Sequence, residues 1–319
     1  MGEQLYTLAQ RTQDAGFLLE AHRTLGTTLF FLGDFDTALD HCMQNIACYD
    51  LERHRFLAVR SGQDPGVASF AYAAYILWLL GYPDQALERL HETLSLARKV
   101  PHIYSLSFAL CWAALLHHCL RQREAVQEQV AELMALCTQH GLPLYLAFGT
   151  TLHGRAFAAQ GQSAQGIAQM RQGITRWRSM GAEIMRTYML ALLAEAYREA
   201  GQMQEGLAVL TEAMSLIDEQ GERWWEAELY RLKGELLLAL SPNSVADVEV
   251  CLHHALDIAR RQQAKSLELR AAMSLARLWQ CRGQPVEARK LLAPIYGWFT
   301  EGLNTADLCD ARALLEELA

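Results

Sequence analysis

The stretch GQSAQGIAQMRQGITRWRSMGAEIMRTYMLALLAEAYREAG (161–201) holds one full period of this chain. Glycine opens it at 161, returns at 181 and closes it at 201, and the spacing extends outward to Gly141 and Gly221. Each glycine follows a block of helix-forming residues, as in QHG (139–141), AAQG (158–161), SMG (179–181), REAG (198–201) and EQG (219–221). A left-handed C-terminal cap there suits a residue without a Cβ. Two blocks make a helix pair of forty residues, and a pair repeated at that interval predicts a stacked array set by neighbour contacts.

Working outward, the small residue in the middle of each first helix gives Gly26, Ala74, Ala113, Gly154, Ala194, Gly234 and Ala276. Twelve residues on, or fourteen in one unit, the second helix carries Ala38, Ala86, Ala125, Gly166, Gly206, Val248 and Ala288, which makes seven units. Small residues at both positions let paired backbones approach, while larger apolar residues fill the gap. Leu25, Leu193 and Leu275 precede the small residue, and Leu29, Phe157, Tyr197 and Trp279 follow it by three. This pattern resembles tetratricopeptide repeats, with helices longer than those of the usual repeat of about 34 residues.

The helical faces are legible. Over 182–200, Met185, Tyr188, Met189, Leu192, Leu193, Ala196 and Tyr197 fall at spacings of three and four; Leu207, Leu210, Met214 and Ile217 do so in the next block. Pro83, Pro101, Pro143 and Pro285 are expected in first turns, where the missing amide donor is harmless. Pro294, inside the last second helix, is expected to kink or shorten it. No alternating run reads as a strand. The chain is predicted to be all-α, a tetratricopeptide-like α-solenoid forming one domain over 1–319: a leading helix over 1–16, seven repeats over 17–304 and a capping helix over 305–319, with Thr305 as its cap.

Of the 319 residues, 51% are hydrophobic and 20% charged, and the net charge of −8 opposes nonspecific nucleic-acid binding. The run Arg260, Arg261, Lys265 reads as a solvated face. The most apolar stretch, Phe70 to Leu80, is too short to span a bilayer, and the N-terminus carries neither a secretory signal nor a myristoylation motif. Eight cysteines (42, 48, 111, 119, 137, 251, 281 and 309) form no CxxC pair, which suits a reduced, cytoplasmic setting. His117 with His118 and His253 with His254 are adjacent pairs, about 100° apart on a helix, so no metal site is expected. GxxxxGK[ST], GxSxG, HExxH and GxGxxG are all missing, so no cofactor and no enzymatic activity are expected.

What remains is a surface. In the repeat class that the chain resembles, first helices line a concave groove, and residues six and three before the small position and one, four and five after it face that groove. Those positions give Phe30, Phe31, Tyr75, Trp78 and Leu79 early, His117, His118, Phe148 and Arg155 in the middle, then Tyr188, Glu195, Arg198, Glu199, Glu228, Arg231, Glu235, Arg270 and Arg277. One end would hold an apolar anchor and the other a charged partner, protein or peptide. The competing reading makes the aromatics interhelix packing and pairs Glu195 with Arg198 and Arg231 with Glu235. If the groove carries recognition, reversing Arg198, Arg231 and Arg270 to Glu weakens binding without lowering stability.

The segments DPGVASFAYAAYILWLLGYPDQAL (64–87), GERWWEAELYRLKGELLLAL (221–240) and AKSLELRAAMSLARLWQCRGQPVEARKLLAPIYGWFTEGLNTADL (264–308) resemble the C-terminal repeat region of large bacterial signalling proteins. There a class III nucleotide cyclase, kinase or DNA-binding domain precedes a STAND-type ATPase, and tetratricopeptide repeats follow. The resemblance implies a sensor and interaction arm that binds a protein, peptide or effector in its concave groove, with upstream domains in the same polypeptide; the alternative is a self-standing adaptor for a short peptide motif. Trp224 and Trp225 belong to that signature and read as core packing. Two further expectations concern edges: the 51–66 connection, which stretches one period to 48, is a secondary interaction candidate, and the apolar leading helix (Leu5, Leu8, Ala9) suits weak self-association through residues 1–35.

Overall fold

The computed structural model describes residues 2–12, 14–241 and 243–319. Among them the chain is all-α, a tetratricopeptide-like solenoid of helix hairpins without a strand. The helices are α1 (Gly2–Thr12), α2 (Ala15–Leu32), α3 (Phe35–Cys48), α4 (Leu51–His54), α5 (Leu57–Ser61), α6 (Pro65–Leu79), α7 (Pro83–Lys99), α8 (Ile103–Cys119) and α9 (Arg123–His140). They continue as α10 (Pro143–Ala159), α11 (Ser163–Ser179), α12 (Arg186–Glu199), α13 (Met203–Gln220), α14 (Glu226–Leu240), α15 (Val245–Arg261), α16 (Lys265–Cys281), α17 (Pro285–Tyr296) and α18 (Ala306–Glu317). Two compact units result: one takes the chain to Trp78 together with Pro83–Gly149, the other holds Leu79–Tyr82 and Thr150–Ala319.

The periodic glycines end helices as their spacing requires. Gly141, Gly161, Gly181, Gly201 and Gly221 all have φ between +66° and +84°, the left-handed region in which a Cβ is strained. Within the second unit the twin small residues bring α10 and α11 into backbone contact. A Cβ on Gly154 would lie 2.6 Å from the Gly166 carbonyl oxygen, and one on Gly166 would lie 2.5 Å from that of Gly154. Elsewhere the close positions are filled: Gly26 faces Cys42 and Ala38 across α2 and α3, and Gly234 faces Leu252 across α14 and α15. Around them runs an apolar core; in the last repeats Leu252, Leu269, Leu275, Leu292, Leu308 and Leu314 are buried together, each contributing roughly 1.5–3 kcal/mol.

Several boundaries depart from the sequence reading. The block at 182–200 becomes helical only at Arg186, because Met185 adopts φ +73°, left-handed and non-glycine. The side chain of Glu222, buried in the α13–α14 turn, fixes this bend by accepting from the Met185 amide at 3.1 Å. Pro101 stands outside α8, whose N-cap is His102, whereas Pro83, Pro143 and Pro285 open their helices. Pro294 lies inside α17, which ends two residues later and is shorter than its counterparts. Thr305 occupies the N-cap of α18 but makes no side-chain cap bond. The leading segment is α1 alone: Gly16 already belongs to α2, Ala9 is buried and Leu8 is exposed. No helix among the described residues is long and apolar enough to cross a membrane.

Candidate functional site

The forty-residue period sets equivalent faces of successive first helices side by side, so α12 packs on α14, α14 on α16 and α16 on α18. On that face of the second unit, arginines and carboxylates form a ladder. Arg155 on α10 donates to both oxygens of Glu199 on α12, at 2.9 and 2.7 Å, and reaches Glu195 at 3.4 Å. Arg198 on α12 lies 3.7 Å from Glu235 on α14. Glu235 accepts from Ser274 on α16 at 2.8 Å and from Arg231 one turn back. Arg231 grips Glu228 through two bonds of 2.9 and 2.7 Å, and Arg270 on α16 bridges Glu228, at 3.6 Å, to Asp307 on α18, at 2.7 Å.

Most of these pairs join neighbouring repeats, 37 to 44 residues apart. The pairing of Arg231 with Glu235 is present, while Glu195 is bound by Arg155 of the preceding repeat. Burial decides how strongly the ladder holds. The Glu228 side chain is 1% exposed and those of Arg231 and Arg270 are each 13% exposed. Burial works against charge on Arg155 and Arg231, but Glu195 and Glu199 on the first, and Glu228 and Glu235 on the second, outweigh it and raise both pKa values. At Glu195 burial prevails and raises the carboxyl pKa against the pull of Arg155. At Glu235 burial is outweighed by Arg231 and Arg198, which hold it below the ordinary value. Reversal of Arg231 or Arg270 therefore costs stability. A stability-neutral reversal suits Arg198 alone of the three, its side chain being 39% exposed.

The apolar candidates sit differently. In the first unit Phe30, Tyr75 and Trp78 are buried, with Phe30 edge-on to Tyr75 at 6.0 Å and to Trp112 at 5.5 Å; half-buried Phe31 lies edge-on to Phe30 at 5.1 Å. Phe148 is also buried, and His117, half-buried, bonds Gln122 at 2.6 Å. In the second unit Tyr188 is fully buried, while Arg277 is exposed. The aromatics thus form interhelix cores as placed, and of the polar candidates Glu199 and Arg277 are exposed and Arg198 is half-buried.

Trp224 and Trp225 are buried, as their core-packing reading expected, but the polar partners of three clusters escaped the sequence reading. Glu222 accepts from the Trp224 indole at 2.7 Å as well as from Met185, and Tyr188 stacks on Trp224 at 5.4 Å with Trp225 edge-on at 5.1 Å. GERWWE is therefore a clamp between consecutive first helices, and the signal available was a carboxylate between a capping glycine and two tryptophans. In the first unit buried Asp64 caps α6 through the Val67 amide at 2.9 Å and accepts from Tyr49 at 2.8 Å. Its own amide donates to Ser105 at 2.8 Å. His22 and His41 place their Nδ1 atoms 2.9 Å apart beneath the Tyr6 ring. Nothing in local spacing announces this pair, which is 19 residues apart in the chain.

No protein-family model matches the chain. Over 276 residues, 86% of its length, it is 23% identical to an uncharacterised protein of Rhizobium meliloti, of which it spans 27%. Among solved structures, the Rap conjugation gene regulator of plasmid pLS20, in complex with the Phr* peptide, superposes with a TM-score of 0.62 at 9% identity, over 95% of this chain and 75% of that one. A Rap protein complexed with competence and sporulation factor gives 0.54 at 8% identity, over 94% and 97%. Yeast Tom70 gives 0.50 at 11% identity, over 99% and 57%. At these identities the likeness is one of fold.

Proposed function

We propose that residues 1–319 act as a non-catalytic interaction and sensor arm, binding a protein or peptide on the first-helix face of the second unit. The observation that carries this reading is the Arg/Glu ladder. It presents a polar row whose inner members are locked by their neighbours and whose outer members, Arg198 and Glu199, stay accessible, with Arg277 exposed on the next first helix. A row of this kind orients a charged partner without rearranging the core, since fixed charges set register and approach more than raw affinity. Two likenesses support it. The Rap structures hold the Phr* peptide and competence and sporulation factor on a similarly folded chain, and the Rhizobium relative extends well beyond the matched segment. The second favours an arm of a larger polypeptide over a self-standing adaptor; that the larger protein is a STAND-type ATPase or cyclase rests on the resemblance of the three segments.

The experiment is a pull-down from the source cell with the chain as bait, read by mass spectrometry, beside the same bait carrying Arg198→Glu with Arg277→Glu. A partner retained by the parent and lost by the folded double variant supports the reading. Partners that ignore the substitutions, or none at all, refute it.

A further inference from the structure

The segment between α3 and α6 breaks the forty-residue rhythm, lengthening the interval from Gly26 to Ala74 to 48. It is a built element. Asp50 caps α4 through the Arg53 amide at 2.9 Å, and the Asp50 amide donates to His54 at 3.0 Å. Leu57 and Ala58 are buried, and Leu57 packs at Gly16 of α2. Ser61 donates to Glu20 at 2.7 Å, and the Arg60 guanidinium lies 4.9 Å over the Phe17 ring. Three contacts thus hold α5 against α2, and the Asp50 bonds close the α4 turn.

The outward side of this anchored insert is what its fold leaves unexplained. Phe56 is 58% exposed and Val59 is 81% exposed, three residues apart. Arg53, Arg55 and Arg60 flank them, all exposed, against two exposed acids: Glu52, which sits 3.9 Å from Arg55, and Asp50, whose carboxylate accepts from the Arg53 amide at the α4 cap. A cationic, apolar island therefore stands on a chain whose net charge is −8. Ordered backbone, a large apolar pair at the centre and arginines at the rim are the composition of an interaction hot spot, in which arginine and aromatic residues are enriched.

We propose that the α4–α5 insert is a docking site for an acidic segment of a partner protein that carries an aromatic or large aliphatic anchor. The anchor covers Phe56 and Val59, and flanking carboxylates meet Arg53 and Arg55. The arrangement favours a protein over an anionic membrane. Helices of four and five residues cannot present the long apolar face that interfacial binding needs, and the acidic remainder of the chain is repelled by such a surface.

The test selects a random-peptide phage library on the immobilised full chain, with counter-selection on Phe56→Ser/Val59→Ser. Enriched sequences are expected to place Asp or Glu around an aromatic or aliphatic residue. A synthetic peptide of the leading sequence should bind the parent roughly tenfold or more tighter than Phe56→Ser/Val59→Ser. It should also weaken with Arg53→Glu/Arg55→Glu and with added salt. Unchanged melting of these surface variants separates lost docking from lost folding. Arg198→Glu serves as the control for the ladder face: a peptide lost there but not at Phe56 belongs to that face and overturns this proposal without touching the other. The proposal also falls if no sequence distinguishes the parent from Phe56→Ser/Val59→Ser. It falls equally if vesicles of phosphatidylcholine and phosphatidylglycerol bind the chain while acidic peptides do not.

Discussion

Substituting Gly154 by Ala tests the packing that defines the second unit. The new Cβ would stand 2.6 Å from the Gly166 carbonyl oxygen and 2.9 Å from the Met170 amide nitrogen, both backbone atoms of α11. No rotamer change relieves a backbone contact, so α10 and α11 must part by about 0.8 Å to bring 2.6 Å to an ordinary 3.4 Å. Overpacking of this kind costs about 1–3 kcal/mol, and a rigid clash belongs at the upper end. Alanine returns up to about 1 kcal/mol of helix propensity, which leaves a net loss of about 2 kcal/mol, or roughly 4–8 °C in Tm. Thermal and urea melts followed by circular dichroism read the effect. Gly234→Ala is the matched control: its Cβ meets side chains rather than backbone, Leu252 at 3.2 Å, which can turn aside, and Cys251 at an ordinary 3.5 Å, so propensity wins and stability holds or rises. Gly154→Ala combined with Gly166→Ala should cost less than the sum, because one separation relieves both. A Gly154→Ala protein that melts at or above the parent would refute the close-contact reasoning.

The remaining predictions concern buried polar groups. Glu222→Ala strands the Met185 amide and the Trp224 indole and should cost about 1–3 kcal/mol by urea titration, whereas Glu222→Gln keeps the acceptor and should be tolerated. Burial raises the Glu222 pKa above 4.5, so the native state holds the proton more tightly and its contribution falls as pH climbs from 4.5 through the folded value; Glu222→Gln should remove that slope, and an unchanged slope contradicts it. His22 and His41 shift the other way. Burial and His41 lower His22, and burial lowers His41 despite Asp40, so stability present above pH 6.5 is lost as pH falls below it, and His41→Asn should flatten that part of a Tm-against-pH curve. Arg231→Glu, which leaves Glu228 buried beside a like charge, should cost about 3–5 kcal/mol, against about 0–1 kcal/mol for Arg198→Glu in the same denaturation assay; equal losses would mean that burial does not grade the ladder.

Sequence by itself determined the repeat. The glycine spacing, the paired small positions and the three-and-four apolar spacing are local properties, and the structure turns them into left-handed caps, close helix pairs and buried stripes at the same residues, Gly161 and Gly154 among them. The positions facing along the first helices came from the resemblance to the repeat class, and a period near forty brings Arg155, Glu195, Arg231 and Arg270 into one ladder. Which charge meets which was decided only by tertiary structure. Glu195 had Arg198 within one turn, yet it lies with Arg155, forty residues away, because stacking sets neighbouring first helices close enough for their side chains to reach across. The same holds for Glu222, whose amide partner lies 37 residues back, and for the histidine pair across α2 and α3. Burial was legible only as the competing reading: Phe30, Tyr75 and Tyr188 occupy positions that the repeat class assigns to an open face, yet aromatic rings from the next repeat close over them. Spacing along one helix fixes direction, whereas burial and partner depend on what the next repeat places opposite.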